Sequence, residues 1–93
     1  MLRFRFDLRK SVQLRENPDR GIGFEEAKIL FETEYIVDRR CEDPEQFRAI
    51  GWVDGVLYSV IYEVRHDNLG EYYHLVTLWK ATREERRMYA ENI

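Results

Sequence analysis

One cysteine in 93 residues, Cys41, leaves no internal disulfide to form, so the fold must hold together by burial alone. Two prolines and five glycines supply turns but no linker. With no repeat or low-complexity tract, residues 1–93 read as a single domain around one core. No apolar run approaches the ~18 residues a membrane span needs, and Met1-Leu2-Arg3-Phe4-Arg5-Phe6 alternates where a signal peptide would be continuously apolar. A cytoplasmic protein with no membrane association is therefore expected. Histidine is scarce as well, only His66 and His74, and no Cys/His pair has metal-ligand spacing. No metal site and no cofactor are expected. Arg39 and Arg40 favour a thiolate at Cys41 while Glu42 and Asp43 oppose it, which leaves an inert thiol.

Against these absences stands a composition of 44% hydrophobic residues with 14% aromatics, enough for a folded globule, and 35% charged residues to keep it in solution. The net charge of −3 conceals a segregation. Residues 1–20 carry six cations against three anions, residues 21–78 five against twelve, and residues 79–93 four against three. If the two termini meet, their cations form a basic patch on an otherwise acidic surface, which suits a polyanion.

Periodicity outlines the elements. Leu2 to Phe6 alternates apolar and basic residues as a strand does, and Asp7 is a fitting N-cap for a helix over Leu8 to Glu16, ended by Asn17-Pro18-Asp19-Arg20-Gly21. Gly23 to Phe31, with acids in its first turn and apolar Phe24, Ala27, Ile29, Leu30 and Phe31, predicts a second helix facing the core. Tyr35 to Val37 reads as a brief strand and Cys41 to Glu45 as a polar loop. Phe47 to Val53 and Val56 to Arg65 flank Asp54-Gly55, the favoured two-residue hairpin turn. Pairing Val53 with Val56 puts Phe47, Ala49, Gly51, Val53, Val56, Tyr58, Val60, Tyr62 and Val64 on the core face. Arg48, Ile50, Trp52, Leu57, Ser59, Ile61, Glu63 and Arg65 fall on the other. After a turn at His66 to Gly70, Tyr72 to Trp79 predicts a last strand feeding a C-terminal helix. The order β-α-α-β-β-β-β-α implies an α+β domain, an antiparallel sheet with two helices from the N-terminal half and one C-terminal helix packed on it.

Thr82 and Glu85 form a capping box, and the helix it opens gathers Arg83, Arg86 and Arg87 within about a third of a turn, with Tyr89 on the flank. Such forks suit a phosphodiester and charge developing on it, and the competing reading is a solvated face laced by i,i+3 and i,i+4 ion pairs. Arg65 is placed either to join that phosphate site or to pair with Glu63 or Asp67. The candidates for acid and base are His74, Glu63, Tyr89 and Lys80. His74 also fits a core position, Tyr89 a packing one, and Trp52 either stacks a base or packs in the core.

The succession Gly23-Phe24-Glu25-Glu26-Ala27, Ala49-Ile50-Gly51-Trp52-Val53-Asp54-Gly55, Val60-Ile61-Tyr62 with Arg65, and Ala81-Thr82-Arg83-Glu84-Glu85-Arg86-Arg87-Met88-Tyr89 resembles the BrnT family of toxins, over nearly the whole chain. The resemblance implies a RelE-like fold and the toxin of a type II toxin–antitoxin pair, a metal-independent endoribonuclease that inhibits translation. It also implies neutralisation by a BrnA-like ribbon-helix-helix antitoxin in a heteromeric assembly, with a homodimer as the other arrangement. On the matching positions Arg65, Arg83, Arg86 and Tyr89 become the expected catalytic set, with Lys10, Arg20, Lys80 and Arg87 as substrate-binding cations. Phe6-Asp7 with Lys10 matches the family's opening, but Asp19-Arg20-Gly21 stands where a Lys-His-Gly is expected. Val64 replaces a glutamate, and Trp79-Lys80 replaces a basic pair. These departures support an alternative: a catalytically weak or inactive module that binds an antitoxin or RNA.

Overall fold

Asp54 and Gly55 both take positive φ, 53° and 80°, the conformation of a two-residue turn that continues the twist of its strands. In this computed structural model, which describes residues 2–93, that turn joins β3 (Glu45–Val53) to β4 (Val56–Asp67) with Val53 opposite Val56, the register read from the sequence. β4 pairs in turn with β5 (Gly70–Lys80), and β3 with β2 (Ile36–Glu42). A two-residue β1 (Phe4–Arg5) closes the five-stranded sheet in the order β1-β5-β4-β3-β2.

The fold is α+β as expected, but the sheet is mixed: β1 lies parallel to β5, with Phe4 opposite Tyr73 and Arg5 opposite His74. The strands also run further than their apolar stretches. Cys41 and Glu42 pair with Gln46 and Glu45, so the expected loop shrinks to Asp43-Pro44. β2 is an edge strand, where charged residues reach water and deter association. His66 and Asp67 likewise extend β4, leaving only Asn68-Leu69 as the turn, closed by the Leu69 amide on Asp67 Oδ1 at 2.8 Å.

One face of the sheet carries the main core. Helix α1 (Leu8–Glu16), capped by Asp7, supplies Leu14, and α2 (Phe24–Ala27) runs on as a 3-10 segment, Lys28–Glu32, supplying Leu30 and Phe31. The single helix expected there tightens midway, and Ile29, one of the apolar residues that marked it, is left 46% exposed. These side chains pack on Ala49, Val53, Tyr58, Val60, Tyr62, Leu75 and Leu78. Gly51 permits the approach, since a Cβ there would lie 2.9 Å from Leu30. Ser11, fully buried, accepts the Phe24 amide at 2.8 Å and donates to Glu25, joining α1 to α2.

Helix α3 (Arg83–Asn92) packs on the opposite face, with Tyr89 and Met88 against Ile50, Leu57, Ala81 and Ile36. Its capping box forms as the Thr82/Glu85 spacing predicts. Because α3 is ten residues long, it spans about 15 Å and roofs only part of that face. Among the described residues, no helix is long and apolar enough to cross a membrane.

Candidate functional site on the open half of the sheet

Strand parity decides what the uncovered half presents. Arg65 and Glu63 on β4 share a face with Tyr72 and His74 on β5, their cross-strand partners, and with Arg5, the β1 partner of His74. Gln46 on β3 donates to Glu63 Oε2 at 2.7 Å. The result is a row across four strands, Arg5, His74, Glu63 and Gln46, with Arg3, Tyr72 and Arg65 in the next row.

The charges of this floor are interlocked. Arg65 directs Nε and Nη2 to Glu63 Oε1 at 3.0 and 2.6 Å, leaving Nη1 free of hydrogen bonds among the described residues. Asp67 accepts from Arg3 at 2.7 and 3.0 Å and from Arg5 at 2.6 Å. The Arg5 and Arg3 guanidinium groups stand 4.5 and 5.7 Å from the Tyr72 ring centre, in cation–π range. His74 makes no hydrogen bond with any described residue, and its ring nitrogens are not among the buried unpartnered atoms. They face solvent.

These contacts set the protonation states. The Gln46 amide, with help from Arg65 against the cost of burial, holds the Glu63 carboxyl below its ordinary value. The Arg3 fork and the Leu69 amide hold Asp67 well below the carboxylate range. Partial burial, reinforced by the Arg65 charge and opposed by Glu63, lowers the His74 imidazole, so it is neutral at pH 7.

The covered half is organised around Glu85, only 3% exposed. Its carboxylate accepts from the Thr82 amide at 2.8 Å, the Trp79 indole at 3.0 Å and Arg48 Nη1 at 3.2 Å, while Arg48 also grips Asp38 at 2.5 and 2.9 Å. Burial pushes the Glu85 carboxyl up, but these donors together bring it below its ordinary value. Arg40 covers the Trp79 ring at 5.1 Å.

The expected four-arginine cluster is not assembled. Arg83, Arg86 and Arg87 are exposed and form no salt bridge among the described residues, so the anticipated ion-paired face is absent too. Since Glu85 and Tyr89 point at the sheet, 100° per residue turns Arg83 and Arg87 directly outward. Met88 meets Arg48 on one flank of α3 and Tyr89 meets Trp52 on the other. Arg86 falls on the Tyr89 flank, away from the open floor. Arg65 lies seven positions along β4 from Tyr58, the partner of Lys80, and so about 23 Å from the end of β5 where α3 departs.

Tyr89 is 9% exposed and donates its hydroxyl to the Glu34 carbonyl at 2.8 Å, which makes it a packing residue. Lys10 sits on α1 and Arg20 in the loop after it, both in the layer on the other face. Tyr58 donates to the Arg20 carbonyl at 2.9 Å, and Lys80 pairs with Tyr58, so Arg20 and Lys80 gather at the far end of the core face. Nor do the basic termini merge: β1 docks near the start of β5, and α3 leaves from its end. Trp52 is 41% exposed and rests edge-on against Tyr89 at 6.1 Å.

Sequence reasoning missed Arg3, Arg5, Tyr72 and Gln46. Their alternation was visible, but only the neighbour order β1-β5-β4-β3 places them around His74. Among the described residues, no three His, Cys, Asp or Glu side chains come together as a metal site would require. No protein-family model matches the chain, and no curated protein aligns with it significantly.

Proposed function

We propose that the protein is a metal-independent endoribonuclease acting on RNA laid across the open half of the sheet, the toxin of a BrnT-like toxin–antitoxin pair. The observation that carries this reading is the row Arg5, His74, Glu63 and Gln46 beside Arg65: an unbonded imidazole next to an exposed guanidinium with free donors. Cleavage without a metal needs a base for the 2′-hydroxyl and fixed cations for charge growing on the phosphate. Arg65 supplies the cation, and Tyr72 with Arg3 and Arg5 offers a surface on which a base stacks. The outward arginines of α3 are left for a partner. An acidic segment of a ribbon-helix-helix antitoxin complements Arg83, Arg86 and Arg87, which lack internal counterions among the described residues.

One observation favours a non-catalytic binding module instead: Arg3, Arg5, Arg48 and Arg65 already hold carboxylates, as structural arginines do. Incubation of the purified protein with total RNA, with and without EDTA and with Arg65→Ala as the contaminant control, separates the two. Cleavage that survives chelation and falls in the variant supports the nuclease. RNA binding without cleavage supports the module.

A further inference from the structure

We propose that His74 is the general base of this site, taking the 2′-hydroxyl proton of a single-stranded RNA whose adjacent phosphate is held by Arg65. The inference rests on the ribonuclease reading above and names the group that performs its first step. The other candidates are excluded by position. Tyr89 is buried with its hydroxyl committed to Glu34, and Lys80 belongs to the opposite face of the sheet. Glu63 has two Arg65 donors on one carboxylate oxygen and Gln46 on the other, so three of its about four acceptor sites are taken and what remains is a weak base.

His74 is the exception on a floor where every neighbouring charge is engaged. Facing it are Glu63 and Arg65 from β4, Arg5 and Arg3 from β1, Tyr72 on its own strand, and Asp67 beyond the two β1 arginines. A histidine kept for packing has its nitrogens fully buried or bonded; those of half-buried His74 are neither fully buried nor bonded to any described residue. Partial burial, with the Arg65 charge beside it and Glu63 opposing, also favours the unprotonated imidazole, the form a base requires.

The step balances simply. The 2′-hydroxyl proton passes to the imidazole, O2′ bonds to phosphorus, and the P–O5′ bond breaks. The departing 5′-oxygen takes a proton from water, and the imidazolium neutralises the hydroxide so formed. The products are a 2′,3′-cyclic phosphate and a 5′-hydroxyl end. In-line attack needs O2′, phosphorus and O5′ collinear, a geometry that A-form pairing prevents, so the substrate is single-stranded and must carry a 2′-hydroxyl.

The test is cleavage of a single-stranded RNA by the wild type, His74→Gln and His66→Gln across pH 4.5–9, with product ends analysed and binding to the 2′-deoxy oligonucleotide measured separately. Expected are cyclic phosphate ends and a rate that falls below the His74 pKa in the wild type and in His66→Gln. His74→Gln should lose roughly a hundred- to ten-thousandfold in rate, lose that acid limb, and bind the deoxy oligonucleotide within about twofold of wild type. NMR titration of the two imidazoles in the wild type checks the limb without any variant: its midpoint must match His74 and not His66. A folded wild type that cleaves no RNA overturns the ribonuclease reading and this inference with it. An active wild type whose His74→Gln variant keeps its rate and pH profile, or whose limb does not track His74, overturns the base assignment alone.

Discussion

Glu85 and Glu63 face the same side of the sheet, and each carboxylate joins an arginine to a second donor, yet their surroundings differ. Glu85 lies under α3 with its side chain 5% exposed, and its arginine partner Arg48 is 22% exposed. Glu63 lies on the uncovered half, and although its own side chain is only 14% exposed, its partner Arg65 is 47% exposed with donors to spare. Breaking a desolvated network leaves buried polar groups without partners, whereas a pair with one arm in water contributes less to stability. The same bonding pattern is thus enclosed in one half and open to exchange in the other, where the proposed RNA phosphate would take the place of a carboxylate.

The largest effect should come from breaking the covered pair. Glu85→Ala leaves the Trp79 indole and the Thr82 amide without this acceptor and Arg48 with Asp38 alone, and is expected to destabilise by roughly 2–4 kcal/mol. Urea denaturation followed by circular dichroism measures it. Glu63→Ala should cost about 1 kcal/mol or less. Equal losses at the two positions would erase the distinction between the halves.

Arg65→Ala tests the open half from the other direction. Its stability should match wild type within about 1 kcal/mol, while the rate of RNA cleavage falls roughly ten- to a thousandfold, the scale of a single transition-state donor. A folded variant with unchanged kinetics would return Arg65 to the role of an ion-paired strand end.

Acid titration separates the halves again, by a smaller margin. Glu63, Asp67 and Glu85 all have depressed pKa values, so each adds stability that is present above its unfolded value and lost as pH falls through its folded one. The urea midpoint should therefore hold from neutral pH to about 5 and drop below about 4. Glu85→Gln should remove more of that drop than Asp67→Asn, because water and salt reach the Asp67 cluster through Arg3 and Arg5, 31% and 56% exposed. The reverse order would show that the N-terminal strand clamp, Arg3 and Arg5 on Asp67, matters more than the α3 hub.

Much of this arrangement was legible in the chain. Asp54-Gly55 fixed one register, the alternation around it sorted both faces correctly, and Thr82 with Glu85 marked the start of α3. The candidate site was harder to see, because it depends on neighbours distant in sequence. Arg5 reaches His74 only through a parallel pairing across sixty-nine positions, which no local pattern encodes. Helical periodicity grouped Arg83, Arg86 and Arg87 rightly. What it could not supply was the orientation of the helix on the sheet, set by Glu85 and Tyr89 pointing inward.

That orientation yields the smallest expected effect. Arg83 and Arg87 point away from both halves and touch no carboxylate among the described residues, so Arg83→Ala with Arg87→Ala should change stability by no more than about 0.5 kcal/mol. Because neither reaches the floor where Arg65 and His74 lie, RNA cleavage should stay within about threefold of wild type, against the larger loss expected were all the arginines gathered on one phosphate. Loss of two outward cations should instead weaken association with an acidic partner, chiefly through a slower on-rate at low salt. Stopped-flow binding to the proposed acidic ribbon-helix-helix partner reads that directly. A double variant that cleaves a hundredfold more slowly while binding its partner normally would show that α3 swings toward the open half when RNA is bound, and that the separation of the two halves belongs to the free protein alone.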